Sequence, residues 1–203
     1  MSDLEHRLAR PPATAALDTD RLMAELGRRA ADEALVDVAY GTMDTPVGEL
    51  LVAVTDRGLV RVAFSSEVAD DVLAELASRV SPRVLRLPGR TDEVRHELDE
   101  YFAGARRHFD VPVDWSLVRG FARGVLRATA HVPFGETTTY RQVAEAAGSP
   151  RASRAAGNAL GCNPIPIVVP CHRVLHSGGG LGGYAGGLER KRTLLTIEGV
   201  LRS

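Results

Sequence analysis

The run Ile165-Pro166-Ile167-Val168-Val169-Pro170-Cys171-His172-Arg173-Val174 decides how the chain is read. An apolar, β-branched stretch of this length predicts a short buried strand. It ends in a cysteine, a histidine and an arginine, side chains that a strand core excludes. A local conflict of that kind marks a functional site. A buried cysteine is commonly no more than a small hydrophobe, but three neighbours argue for a working thiol. Pro170 fixes φ just before it. His172 and Arg173 follow at once and favour the thiolate, which is the nucleophilic form. Asn163-Pro164 precedes the run as a turn and brings a side-chain amide close.

Outward from this run, the C-terminal half reads as mostly helical. A helix is expected over 118–131, with Phe121, Val125 and Ala128 on one side. Thr139 caps a short helix over 140–147, and Gly148 closes it. Ser149 and Pro150 are the expected N-cap and first position of the next helix, which runs to about Leu160. Helix, short turn, helix is helix-turn-helix geometry, although simple αα-corners share the pattern. The second helix is small-sided (Ala152, Ala155, Ala156, Gly157, Ala159), with Arg154 standing among them. Ser177 to Gly183 is glycine-dense and suits a close backbone approach; it lacks the lysine and following helix of a phosphate-binding loop. The last helix is expected over 187–198 and ends at Gly199.

The N-terminal half has a different texture. Leu50 to Val54 and Leu59 to Phe64 flank Thr55-Asp56-Arg57-Gly58, a hairpin signal. Helices are expected over 68–80 and, capped by Thr91, over 92–103. His96 and His108 read as surface residues. A loose arm over 1–19 and a short helix over 20–34, with Leu22, Met23, Leu26 and Ala30 on one side, complete the chain. The fold class is therefore α+β: an N-terminal β-rich domain with flanking helices (35–115), preceded by an extension (1–34). It is joined to a mostly helical C-terminal domain (116–203) with the helix-turn-helix and the cysteine.

Of 203 residues, 44% are hydrophobic and 25% charged, which suits a soluble protein with a real core. No run of about 18 apolar residues predicts a membrane span, and the first residues lack the apolar centre of a signal peptide. The net charge of −1 hides an asymmetry: residues 116–203 carry +7 and residues 1–115 carry −8. A polyanion partner is expected for the basic half alone. Cys162 and Cys171 flank a proline-rich segment, so free thiols in a reducing cytoplasm are expected rather than a disulfide. No Cys/His spacing reads as a metal site, and no cofactor motif appears.

Pro170-Cys171-His172-Arg173-Val174, extended upstream by Asn163-Pro164-Ile165-Pro166 and downstream by Gly182-Gly183-Tyr184-Ala185-Gly186-Gly187-Leu188 and Glu198-Gly199, resembles the active-site region of the O6-alkylguanine-DNA alkyltransferases. These are also called methylated-DNA–protein-cysteine methyltransferases. The resemblance implies direct reversal repair: an alkyl group passes irreversibly from O6-alkylguanine in DNA to Cys171, one lesion per molecule, with O4-alkylthymine left open as a second substrate. It implies that His172, oriented by Glu198 and with a water between it and the thiol, activates Cys171, and that Asn163 orders the network. By the same likeness Tyr140 assists departure of the guanine, and Tyr140, Val174, Tyr184 and Ala185 shape the pocket of a flipped base. Ala185 departs from the serine of some members and offers only its backbone N–H. Arg154 matches the finger that enters double-stranded DNA from the minor groove. The implied protein is a monomer in solution that needs no cofactor, because the methyl comes from the lesion. Zinc, present in some members' N-terminal domain, is not expected, since residues 1–115 contain no cysteine. Two other classes compete: a lesion binder without chemistry, against which Cys171 argues, and a Cys-His-Glu hydrolase, which has no use for a helix-turn-helix.

Overall fold

Hydrophobic alternation broken by Thr55-Asp56-Arg57-Gly58 folds as the pattern demands. A computed structural model describes residues 35–202 together with 25, 27, 29, 30 and 33. Strands β1 (Val38–Met43), β2 (Leu50–Thr55) and β3 (Gly58–Phe64) form an antiparallel meander. β4 (Val84–Arg86), which the sequence did not signal, adds in parallel beside β1, giving the order β3-β2-β1-β4. A bulge sits where Ala53 pairs with Arg61 but Val54 pairs with Leu59. Helix α1 (Ala69–Arg79) covers one face, and Val72 and Leu76 bury against Val38, Leu51, Ala53, Val60 and Ala63. Helix α2 (Asp92–Phe102) buries Val94, Leu98 and Tyr101. Thr91 does not cap α2, because its hydroxyl donates back to the Pro88 carbonyl in the preceding 3₁₀ turn.

Residue Val36 onward forms one compact unit. Its C-terminal part holds α3 (Gly120–Ala130), α4 (Tyr140–Ala146), α5 (Ser153–Gly161) and α6 (Leu188–Ile197). The Thr139 hydroxyl accepts from Gln142 N–H while the Gln142 side chain accepts from Thr139 N–H, a complete capping box at α4. The expected start of α5 is wrong by three residues. Ser149 to Arg151 is a turn, Ala152 stands at the N-cap, and no side chain caps the helix. A two-stranded parallel ladder joins β5 (Thr138–Thr139) to β6 (Val174–Leu175). Because β5 runs straight into Tyr140 and β6 follows Cys171 by three residues, this short ladder fixes the two side chains relative to each other. In the expected 20–34 helix, Glu25, Gly27, Arg29 and Ala30 are helical; Leu22, Met23, Leu26 and the 1–19 arm lie outside the described residues. Among those residues no helix is long and apolar enough to cross a membrane.

Gly58 carries the hairpin's tightest contact. Its φ is +121°, and a Cβ there would lie 2.1 Å from the Pro112 carbonyl oxygen. Backbone strain and overpacking, each about 1–3 kcal/mol, act together on Gly58→Ala. The variant should lose about 3 kcal/mol or more, read as a lower urea midpoint with an unchanged slope.

Candidate active site

The run that opened the sequence reading is not a strand. Pro164, Pro166 and Pro170 have no N–H to give a ladder, and the chain coils instead. Asn163 Oδ1 accepts from Ile165 N–H at 3.0 Å. Ile167, a β-branched residue at φ +74°, centres a three-residue turn closed by Val168 N–H to the Pro166 carbonyl at 3.0 Å, a strained backbone of the kind found at working sites. Pro170, at φ −81° and ψ 64°, centres an inverse γ-turn closed by Cys171 N–H to the Val169 carbonyl at 2.8 Å. Cys171–Arg173 is a 3₁₀ turn, and only Val174 and Leu175 are extended.

Both cysteines are free: Cys162 is exposed and Cys171 buried. The Asn163 amide donates to Cys171 Sγ at 3.2 Å and to the Val169 carbonyl at 2.8 Å, so one side chain ties the thiol to its own loop. Burial raises the thiol's pKa; the Asn163 hydrogen bond and the charge of Lys191 oppose the rise without cancelling it. The resting group is the thiol. The His172 and Arg173 side chains do not face the thiol as expected from their position, because both turn to Glu198; His172 favours the thiolate only through its backbone N–H. Glu198 Oε1 accepts from His172 Nε2 at 2.8 Å, Arg173 at 2.9 Å and the Tyr101 hydroxyl at 2.7 Å; Oε2 accepts from Arg173 Nε at 2.9 Å and Gly135 N–H at 3.4 Å. Burial works to raise the Glu198 pKa, but His172 and Arg173 hold it down at about 2. An ionised Glu198 can only accept, so His172 carries its proton on Nε2. Burial lowers the His172 pKa, and the ring is neutral. Its Nδ1 bonds to no described protein atom and is left as the free base.

Cys171 opens onto a cavity of about 510 Å³ lined by Tyr140, Arg154, Gly157, His176, Tyr184 and Ala185 among others, a size normal for a small-ligand site. Tyr140 packs so closely on Gly182 (φ +68°) that a Cβ there would meet the phenol oxygen at 2.5 Å. Burial and the nearby Cys171 raise the pKa of Tyr140 and, further, that of Tyr184, so both remain phenols. The structure thus brings Cys171, Tyr140, Arg154, Tyr184 and Ala185 to one cavity. Asn163, His172 and Glu198 stand behind the thiol. Val174 is a correction: it is fully buried in β6 and does not line the cavity.

The chain matches two family models, one after the other, over residues 38–200. Residues 38–115 match the ribonuclease-like domain of 6-O-methylguanine DNA methyltransferase, and residues 120–200 match its DNA-binding domain. The chain belongs to this family. The methylated-DNA–protein-cysteine methyltransferase of Mycolicibacterium paratuberculosis is 40% identical over 163 residues, 79% of this chain and 92% of the relative. The constitutive enzyme of Bacillus subtilis is 38% identical over 160 residues, 78% and 94% of the two chains. The crystal structure of the Mycobacterium tuberculosis O6-methylguanine methyltransferase superposes with a TM-score of 0.68 at 37% identity, covering 79% of this chain and 92% of that one. A structure of the same organism's protein in complex with DNA gives the same TM-score at 38% identity, with the same coverage.

Two residues of this methyltransferase site, Tyr101 and Lys191, escaped the sequence reading, and Arg173 was read as support for the thiolate rather than as a partner of Glu198. Tyr101 lies in the expected 92–103 helix, where nothing in the sequence set it apart. Lys191 is the chain's single lysine. It is buried, donates to the carbonyls of Val174 (2.8 Å), Leu181 and Gly183 (3.5 Å), and so pins the cavity loop; burial lowers its pKa to about 8. Its rarity was the available signal.

Glu198→Gln leaves the Arg173 guanidinium buried without its counter-charge, a loss of about 3–5 kcal/mol. Because Glu198 titrates lower folded than unfolded, its contribution is full above pH 4.5 and disappears as pH falls towards about 2. Urea midpoints measured across this range should fall steeply for wild type and less for Glu198→Gln.

Proposed function

We propose that this protein repairs alkylated DNA directly, moving the alkyl group of O6-alkylguanine onto Cys171. The observation that carries the reading is a buried thiol, held by the Asn163 amide, at the floor of a cavity walled by two neutral phenols. His172 Nδ1 takes the thiol proton, relayed by a water, and Glu198 steadies the imidazolium that forms. The sulfur attacks the carbon on O6 in line, the C–O bond breaks with its electron pair going to guanine, and Tyr140 donates the proton that neutralises the leaving base. The phenolate recovers its proton from the imidazolium side. Atoms and charge balance: a thioether and an unmodified guanine result. No second nucleophile near Cys171 displaces a thioether, so each molecule acts once.

The basic C-terminal part, residues 116–203, is read as the DNA-binding and catalytic domain, and residues 35–115 as its partner domain. The lesion reaches the cavity only after leaving the stack, at a cost of a few kcal/mol. Arg154, exposed on α5 at the cavity rim, enters from the minor groove and fills the space left. Ala185 offers only its backbone N–H to O6. The protein acts as a monomer.

Incubation with duplex DNA bearing a radiolabelled methyl on O6 of guanine tests the reading. Label should move to protein at one per molecule, mapping to the Cys171 peptide, and Cys171→Ser should take up none while binding DNA within a few-fold of wild type. Label left on DNA would favour a lesion binder, and repeated release of a small labelled product a hydrolase. Arg154→Ala should lose far more activity on duplex DNA than on free O6-benzylguanine, which needs no flipping; equal losses would remove Arg154 from the flipping step.

A further inference from the structure

Tyr101 lies on α2, in the half of the chain to which no step of the chemistry has been assigned. It is fully buried, with Phe102, Phe109 and Phe134 at ring-centroid distances of 5.3, 5.4 and 6.0 Å. Phenylalanine would serve that aromatic cluster equally well. The hydroxyl is the one polar atom in it, and it reaches 97 residues along the chain to Glu198 Oε1 at 2.7 Å. That oxygen is also the one that receives His172 Nε2. We propose that Tyr101 is a positioning residue for alkyl transfer: its O–H fixes Glu198 Oε1 and moderates the carboxylate's grip on the His172 proton. The proposal rests on the alkyl-transfer reading above.

The physical argument is one of shared donors. A carboxylate oxygen that accepts from three donors carries less charge towards each of them. Withdrawing the phenol donor leaves Oε1 a stronger acceptor for His172 Nε2–H, which stabilises the imidazolium and makes Nδ1 protonate at a higher pH. Since the base must be neutral to take the thiol proton, the acid limb of the rate profile should move upward. The charged and titratable groups around the ring are Lys191 from α6, Glu198 at the C-cap of α6, Arg173 and Cys171 from the same 3₁₀ turn, Tyr184 from the cavity loop and Tyr101 itself. Of these, the substitution changes only Tyr101. Burial raises the Tyr101 pKa further above the ordinary phenol value, so it remains a donor across the range in which His172 titrates.

The test is the rate of alkyl transfer from free O6-benzylguanine, measured between pH 5 and 9 on the full chain, for wild type and Tyr101→Phe, with thermal melting in parallel. Tyr101→Phe should react up to about threefold more slowly than wild type on the acid limb, with the midpoint of that limb raised by about half a unit. 3-Fluorotyrosine placed at position 101 keeps the fold's shape and donates more strongly, and should move the midpoint downward. A Tyr101→Phe midpoint equal to wild type overturns the proposal, whether or not the rate falls, because loss of packing alone slows transfer equally at every pH. If Tyr101→Phe does not fold, the fluorotyrosine protein decides, and an unmoved or raised midpoint there overturns it. A wild-type protein that transfers no benzyl group to Cys171 would refute the alkyl-transfer reading instead.

Discussion

A carboxylate taken out of water must be surrounded by donors, and Glu198 is the point to which this structure subordinates its neighbours. Five donor atoms converge on two oxygens. They come from α2, from the loop after α3 and from the 3₁₀ turn that carries the thiol, so segments far apart in sequence must all be in place before the charge is satisfied. A buried ion that lost one of these partners would cost more than most surface substitutions. The constraint therefore selects a single arrangement of the active-site turn, and the catalytic geometry comes with it.

The thiol itself is treated in the opposite way. Its surroundings favour the neutral form, with one amide on the sulfur and a lysine close by that limit the penalty on the anion. A protein that can react once gains from a nucleophile that stays protonated until substrate arrives: a standing thiolate would be exposed to oxidants and stray electrophiles. His172 is neutral and its Nδ1 bonds to no described protein atom; in the proposed mechanism it takes the proton at the moment of reaction and no earlier.

Much of this was legible in the residues. Thr139 announced α4 because capping is local chemistry, and Gly58 announced the hairpin because few other residues can turn there. The strand expected over 165–174 was misread: apolar β-branched composition was given more weight than three prolines, which remove the N–H groups a ladder needs. Ser149 had the right side chain for an N-cap, yet the helix begins at Ser153 after a turn. Glu198 was found through its place in the motif, but Tyr101 was invisible as a site residue. Nothing within its own helix distinguishes a core phenol from one whose hydroxyl is required 97 positions away; that information lies in the packing.

The bonds along β3 have a further consequence, one for solution behaviour. β3 is an edge of the sheet, yet several of its outer polar groups are occupied. Leu59 N–H donates to the Pro112 carbonyl, Asp114 N–H donates to the Leu59 carbonyl, and Val62 N–H donates to the Pro164 carbonyl at 2.8 Å. The last of these belongs to the turn that also places Asn163 on the thiol. A strand with its edge free is a template for pairing with other chains. The active-site turn thus serves as a seam along the sheet's border, and the peptide that helps hold the nucleophile also keeps one molecule from zipping to the next.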